Sequence, residues 1–290
     1  MHPLSWLALA AILGAVVYSA WRRALLSLTL ALAAMVVFLL EYVSGEVFQD
    51  LAWAYRPPVY VSPPWTIATT IFVHAGAFHL LFNVLGFLLI TPVLEERIGS
   101  LRWGLVFFLG AMVGQVAFWL ARLGHPFVLV GASGGLMAVL GAFARLYPRE
   151  RISFFLLPLP GQPTVPVIWV AVGYLFVSFV LAAGSSGFIA HEAHIGGMAF
   201  GFAAAPAIMR VPARRAQRPL AALDFDALGP LAGTRELRQI LEELKAADVP
   251  EVRAAWLEKF AANARCPRCG GPLRHRRRTL SSTCGWRLAL

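Results

Sequence analysis

The chain has 290 residues, of which 59% are hydrophobic and 14% charged, and its mean hydropathy is +0.68. A water-soluble domain carries more charge than this on its surface, so the composition excludes an ordinary soluble globule and points to a polytopic membrane protein. The net charge of +10 carries no nucleic-acid signal, because most of the arginines stand beside apolar segments, where they orient membrane helices.

Seven apolar runs are predicted as spanning helices, at roughly 3–20, 24–43, 76–94, 103–121, 132–147, 165–183 and 189–209. Continuous runs rather than alternation exclude a membrane β-barrel. The first run lacks a basic stretch before it, and its charges, Arg22 and Arg23, follow it. It therefore reads as a retained helix, not a cleaved signal.

Basic residues alternate along the connections. Arg22 and Arg23 follow the first run. Arg97 and Arg102 follow the third, Arg145, Arg149 and Arg151 the fifth, and Arg210, Arg214, Arg215 and Arg218 the seventh. The intervening loops hold Arg56, Arg122 and, near Gly184–Gly187, no arginine. Seven crossings with the N-terminus outside and the C-terminus in the cytoplasm satisfy the charge bias. All but two of the 25 basic residues are arginine, which fits a GC-rich bacterial genome and a bacterial cytoplasmic membrane.

Polar side chains inside such runs are costly and each needs a reason. His79 and Asn83, on successive turns, share one helix face. His194 opens the last run, and Ser133, flanked by Gly131 and Gly134, opens the fifth. Three readings of the glycine–serine pattern compete: a close helix contact, the nucleophile elbow of a soluble hydrolase, or a nucleophile in a membrane.

Position argues for the last. The run from Ala132 to Tyr147 gives only ~24 Å of helix against a ~30 Å hydrocarbon core. Ser133 is thus expected below the outer surface, reached by water, with GHPFVLVG descending to it as irregular backbone. Small residues line one stripe of the last helix (His194, Gly197, Gly201, Ala204, Ala205) and one of the serine helix (Gly134, Ala138, Gly141). Two such stripes let helices approach closely enough for an imidazole to activate a hydroxyl. Glu192 falls on another face from His194, so the expected unit is a Ser–His dyad.

The stretch PWTIATTIFVHAGAFHLLFNVLGFLLITPVLEERIG, followed by GASG and AHIGGMAFG, resembles the rhomboid intramembrane serine proteases, in order through residues 24–209. The resemblance implies an all-α polytopic membrane protein with a six-helix catalytic core at 24–209. One extra N-terminal transmembrane helix lies at 1–23. A basic linker at 210–233 leads to a small cytoplasmic domain at 234–290.

It implies Ser133 as nucleophile, His194 as base, His79 and Asn83 as oxyanion donors, and His74 as a structural histidine. Glu95, Arg97 and Gly99 match the family's E-x-R-x-G turn. Met137 stands where many members place an aromatic against the catalytic histidine, and Trp65-Thr66 where Trp-Arg is usual. The implied activity is endoproteolysis of transmembrane protein substrates within the lipid membrane, with no catalytic cofactor and no nucleic-acid partner. Two alternatives are a catalytically inactive relative that binds client helices, and a transporter with a histidine proton path.

In the C-terminal part, Leu237, Ile240, Leu241 and Leu244 share a helix face. Val252, Trp256 and Phe260 are expected to line a second helix capped by Asp248, with Glu251 at its third position. The tail carries a C-x₂-C knuckle, Cys266 and Cys269, and then Cys284, with Ser281 where a second knuckle would place its other cysteine. Two readings stand: a structural zinc site completed by His275, or a metal-free remnant of a zinc ribbon.

Overall fold

In a computed structural model, which describes residues 1–56, 60–153, 164–184, 190–212, 225–247, 250–276 and 279–289, the chain forms two compact units, Met1–Ala216 and Gln217–Leu290. Arg214, Arg215, Arg218, Asp248 and most of the loop at Gly184–Gly187 lie outside the described residues.

The first unit is helical. Helices α1 (Pro3–Arg22) and α2 (Leu26–Val43) pack together, joined by Arg23 in the left-handed region at φ 57°. The short helix α3 (Gly45–Leu51) brings Asp50 to the start of α1, where its carboxylate accepts from the His2 amide and the Ser5 hydroxyl, both at 2.7 Å. Strands β1 (Trp53–Arg56) and β2 (Tyr60–Val61) lead into α4 (Thr66–Thr69) and a 3-10 turn at Thr70–Phe72.

The third apolar run is broken. Helix α5 (Ala77–Leu89) ends at Ile90 and α6 (Thr91–Ile98) begins at once, with Pro92 in its first turn. Proline has no N–H to continue the ladder and its ring crowds the preceding turn, which places the break here. Gly99, at φ 85°, turns the chain directly into α7 (Ser100–Ala121).

Glu95, on α6, ties this corner to the start of α2. Its fully buried carboxylate accepts from the amides of Leu26 and Ser27, at 2.6 and 2.9 Å. It satisfies two of the orphan donors that every helix N-terminus leaves, and its charge suits the positive end of the helix. Arg97 reaches Glu150 at 2.8 Å and lies over the Tyr147 ring.

Strand β3 (Phe127–Leu129) pairs antiparallel with β1, completing a sheet ordered β2-β1-β3. This corrects part of the expectation of irregular backbone before Ser133: Phe127–Leu129 satisfy their polar groups by strand pairing, while the residues on either side of them are in neither strand nor helix. Helix α8 (Ser133–Leu146) follows, then a two-stranded ribbon of β4 (Arg151–Ser153) and β5 (Thr164–Pro166), then α9 (Val167–Gly184) and α10 (His191–Ile208).

Among the described residues, Pro3–Arg22, Leu26–Val43, Ala77–Ile98 and Ser100–Ala121 are long and apolar enough to cross a membrane, and α8 and α9 add shorter apolar helices. Large side chains stand bare on outer faces, as a lipid-facing surface requires: Phe78 and Phe82 on α5, Trp169, Phe176 and Phe179 on α9. The interior holds an aromatic stack in which Trp103 and Phe107 lie nearly parallel at 5.1 Å, with Phe87 beside them.

The second unit contains a 3-10 segment (Phe225–Leu231), α11 (Arg235–Ala246) and α12 (Pro250–Asn263). A sheet of β6 (Leu273–Arg276), β7 (Thr279–Ser282) and β8 (Arg287–Ala289) follows. Thr234 caps α11 by accepting from the Leu237 amide, and Leu237, Ile240, Leu241 and Leu244 are buried as expected. Of the row expected on α12, Phe260 is buried and Trp256 packs against the core, and Val252 alone departs from it. Leu257, Phe260 and Ala261 fill the core, while Val252 is 45% exposed, because the buried row runs through Leu257, Phe260, Ala261 and Ala264.

Candidate active site

Ser133 is the first residue of α8, and its position depends on Gly131. That glycine has φ 109°, a region closed to side chains, and its amide donates to the Thr70 carbonyl at 2.9 Å. A methyl here would also meet the His79 ring at 2.7 Å. Thr70 adds a side-chain bond to the Leu129 carbonyl and accepts from the Trp53 amide at 3.1 Å, tying the sheet to the approach to Ser133.

His194 comes from the first turns of α10, which lies against α8 with no room for side chains between them. A methyl at Gly197 would collide with the Gly134 carbonyl, one at Gly201 with the Ala138 carbonyl, and one at Gly141 with the Met198 carbonyl. This backbone contact sets the depth of the imidazole, and His194 Nε2 lies 2.6 Å from Ser133 Oγ. Glu192 turns away to Arg122, 3.6 Å distant.

The other ring nitrogen has a partner that sequence reasoning missed. The Tyr174 hydroxyl, on α9, lies 2.7 Å from His194 Nδ1, and buried Ser178 one turn on shares a hydrogen bond with Tyr174. With its proton on Nδ1, the imidazole donates to the tyrosine oxygen and turns the Nε2 lone pair to the serine, the tautomer a general base needs. Nothing local in the sequence marks Tyr174, one aromatic among several in an apolar helix that precedes its partner's. His191, also unremarked, packs edge-on to His194 with centroids 6.3 Å apart.

Asn83 is 3% exposed, and one N–H of its amide goes to the His79 carbonyl at 2.8 Å, which leaves the second for another acceptor. His79 packs edge-on to His74 at 5.1 Å, and His74 is buried with Nδ1 at 3.1 Å from the Phe72 carbonyl. Beside Ser133 lies a recess of about 20 Å³, lined by Thr70, Gln115, Gly131 and Ala193 among others, with room for one water. Gln115 is buried there, and its Oε1 has no partner among the described residues.

A family model described as the Rhomboid domain matches residues 62–211, which hold every residue of this constellation. The chain belongs to the rhomboid family. It is 29% identical over 185 residues to the rhomboid protease GluP of Bacillus subtilis, covering 62% of this chain and 34% of that protein. It is 31% identical over 172 residues to the mitochondrial Rhomboid protein 1 of Saccharomyces cerevisiae, covering 56% and 47%. Over 78 residues it is 41% identical to Rhomboid-related protein 3 of Homo sapiens, covering 27% and 19%. The chain thus spans less than half the length of each of these three relatives.

In this rhomboid chain the aromatic neighbour of His194 comes from α9 instead of position 137. The Tyr174 ring is tilted 56° to the imidazole at 5.8 Å, while Met137 is partly buried against the core.

In the tail, the sulfurs of Cys266, Cys269 and Cys284 converge within 4.8 Å of one another. His275 is not brought into this cluster. It lies in β6 opposite Leu280, a position the ladder register separates from the knuckle. The hydroxyl that reaches the sulfurs is that of Ser282, 3.5 Å from Cys269, whereas Ser281 faces the Arg274 carbonyl. Hydrogen bonds from Ser282 and from the Gly271 amide pull the Cys269 thiol down to about 7.

Proposed function

We propose that this chain is an intramembrane serine endopeptidase that cuts single-span membrane proteins near the outer end of their spans. The Ser133–His194 contact at 2.6 Å carries the reading. Ser133 Oγ attacks the scissile carbonyl carbon as His194 Nε2 takes its proton. The oxyanion formed is met by the second Asn83 N–H, His79 and the backbone amide of Ser133. His194 then protonates the departing amine as the C–N bond breaks, leaving an ester on Ser133. A water entering by the recess gives its proton to His194 and attacks the ester, and the proton returns to Ser133 as the acid leaves. The sequence balances with peptide and water alone.

A helix must unwind before its peptide bond can reach Ser133, so substrates with glycine, proline or other helix-breaking residues near the outer face are preferred. The charge bias supports seven crossings in a bacterial cytoplasmic membrane with the N-terminus outside, and reporter fusions at both ends giving matching sidedness would refute that arrangement.

The chemistry is tested with a serine-directed fluorophosphonate on the protein in detergent. Labelling of the wild type, absent from Ser133→Ala and His194→Ala proteins of unchanged thermal stability, is expected. An unlabelled, folded wild type that cleaves no transmembrane substrate would support a helix-binding, inactive relative instead. Cleavage by Ser133→Ala would remove the serine from the mechanism.

A further inference from the structure

The C-terminal unit brings three sulfurs together, those of Cys266, Cys269 and Cys284. Its two knuckles are built alike. In the first, the Cys266 amide donates to the Gly271 carbonyl and the Gly270 amide to the Cys266 carbonyl, with Gly270 at φ 68°. In the second, the Ser282 amide donates to the Trp286 carbonyl and the Gly285 amide to the Ser282 carbonyl, with Gly285 at φ 84°. Each turn also points an amide at a preceding sulfur, Gly271 at Cys269 and Trp286 at Cys284. Such N–H bonds hold each sulfur in place.

The spacing matches a metal. Sulfurs bound to tetrahedral Zn²⁺ at ~2.3 Å lie ~3.8 Å apart. The Cys266 and Cys284 sulfurs are separated by 3.6 Å, well beyond a disulfide, and all three lie within 4.8 Å of one another.

Charge also favours occupation. Three thiolates and a dication leave one negative charge, which the arginines of this strongly basic tail, Arg265, Arg268, Arg274 and Arg287 among them, attract and do not repel. Cys266 belongs to the core of the unit, while Cys269 and Cys284 are exposed. The metal would cross-link the knuckle that follows α12 to the β7–β8 turn within the unit Gln217–Leu290, and in a domain of such a size a metal cross-link adds stability to that of the core.

We infer that the three sulfurs of Cys266, Cys269 and Cys284 bind one thiophilic divalent cation, Zn²⁺ in the cell, with the fourth position open to solvent and His275 not a ligand. The metal joins the end of α12 and its knuckle to the β7–β8 turn. Its open position makes it exchange faster than a closed four-thiolate site.

The full chain, purified in detergent and reduced, is stripped with a chelator and reloaded with Co²⁺. One Co²⁺ per chain is expected, with the intense visible bands of a four-coordinate thiolate site and near-ultraviolet sulfur-to-metal bands. Zn²⁺ should bleach them. Added 2-mercaptoethanol should shift them by taking the open position. Cys266→Ser, Cys269→Ser and Cys284→Ser should each lose the spectrum, and His275→Ala should keep it unchanged. A wild-type chain that binds no Co²⁺ with three titratable thiols, or that titrates as one thiol beside a Cys266–Cys284 disulfide, would overturn the site. Loss of the spectrum in a folded His275→Ala protein would overturn the assignment of the fourth position.

Discussion

The hydroxyl of Tyr174 and Nδ1 of His194 lie 2.7 Å apart, on the side of the imidazole opposite Ser133. In serine hydrolases with three members a carboxylate occupies that side, fixing the tautomer and stabilising the imidazolium. A neutral phenol can do the first and contributes less to the second.

Tyr174→Phe keeps the ring and deletes the hydroxyl. Loss of one such hydrogen bond is worth about 1.4 kcal/mol, so kcat on a transmembrane substrate should fall about tenfold with KM unchanged. Fluorophosphonate labelling should slow in the same ratio. A variant that changes KM alone would make Tyr174 a substrate contact and not a positioning residue.

Asn83 and His79 should behave as transition-state donors. Asn83→Ala is expected to lower kcat by about 10²–10³, the usual effect of removing one oxyanion donor, and His79→Ala to lower it in the same sense. Steady-state cleavage with protein of unchanged melting temperature measures both. Full turnover in either variant would take that residue out of the reaction.

Gly201→Ala places a methyl against the Ala138 carbonyl, whereas Gly173→Ala on α9 meets nothing within 4 Å. The first should destabilise by about 1–3 kcal/mol or more and lose activity by displacing His194. The second should leave melting temperature and turnover alone. Thermal unfolding of the two proteins, side by side, decides it.

Glu95→Gln exchanges one carboxylate oxygen for an amide NH₂ that faces the Leu26 or Ser27 N–H. One buried donor is left without an acceptor, which costs about 1–3 kcal/mol. Thermal stability should fall while the site, formed by other helices, keeps its kcat at temperatures where the protein stays folded.

Much of this was legible in the sequence because lipid is a demanding solvent. The apolar runs, the small-residue stripes and the polar exceptions Ser133, His194, His79 and Asn83 all follow from it. Other features were not legible, since they depend on which helices meet. Tyr174 acts through a partner on the next helix and Glu95 through amides at the start of α2, and neither residue type is unusual where it stands. The pairing of β3 with β1 joins segments that α4 to α7 separate along the chain, and each is too short to show a pattern. The third run hid its break because Ile90 and Thr91 look like any residues of a span; Pro92 alone signalled it.

The 2.6 Å between serine and imidazole is held by atoms that are missing. At Gly197, Gly201 and Gly141 main chain touches main chain, so the gap is ruled by peptide geometry and not by how side chains happen to fill it. Packing positions beside this contact, Met137 among them, do not set the gap. Variation in this molecule should be read unevenly. A change of side chain at a packing position such as 137 is expected to leave the Ser133–His194 distance as it is, whereas a single added carbon at one of these three glycines is expected to change it.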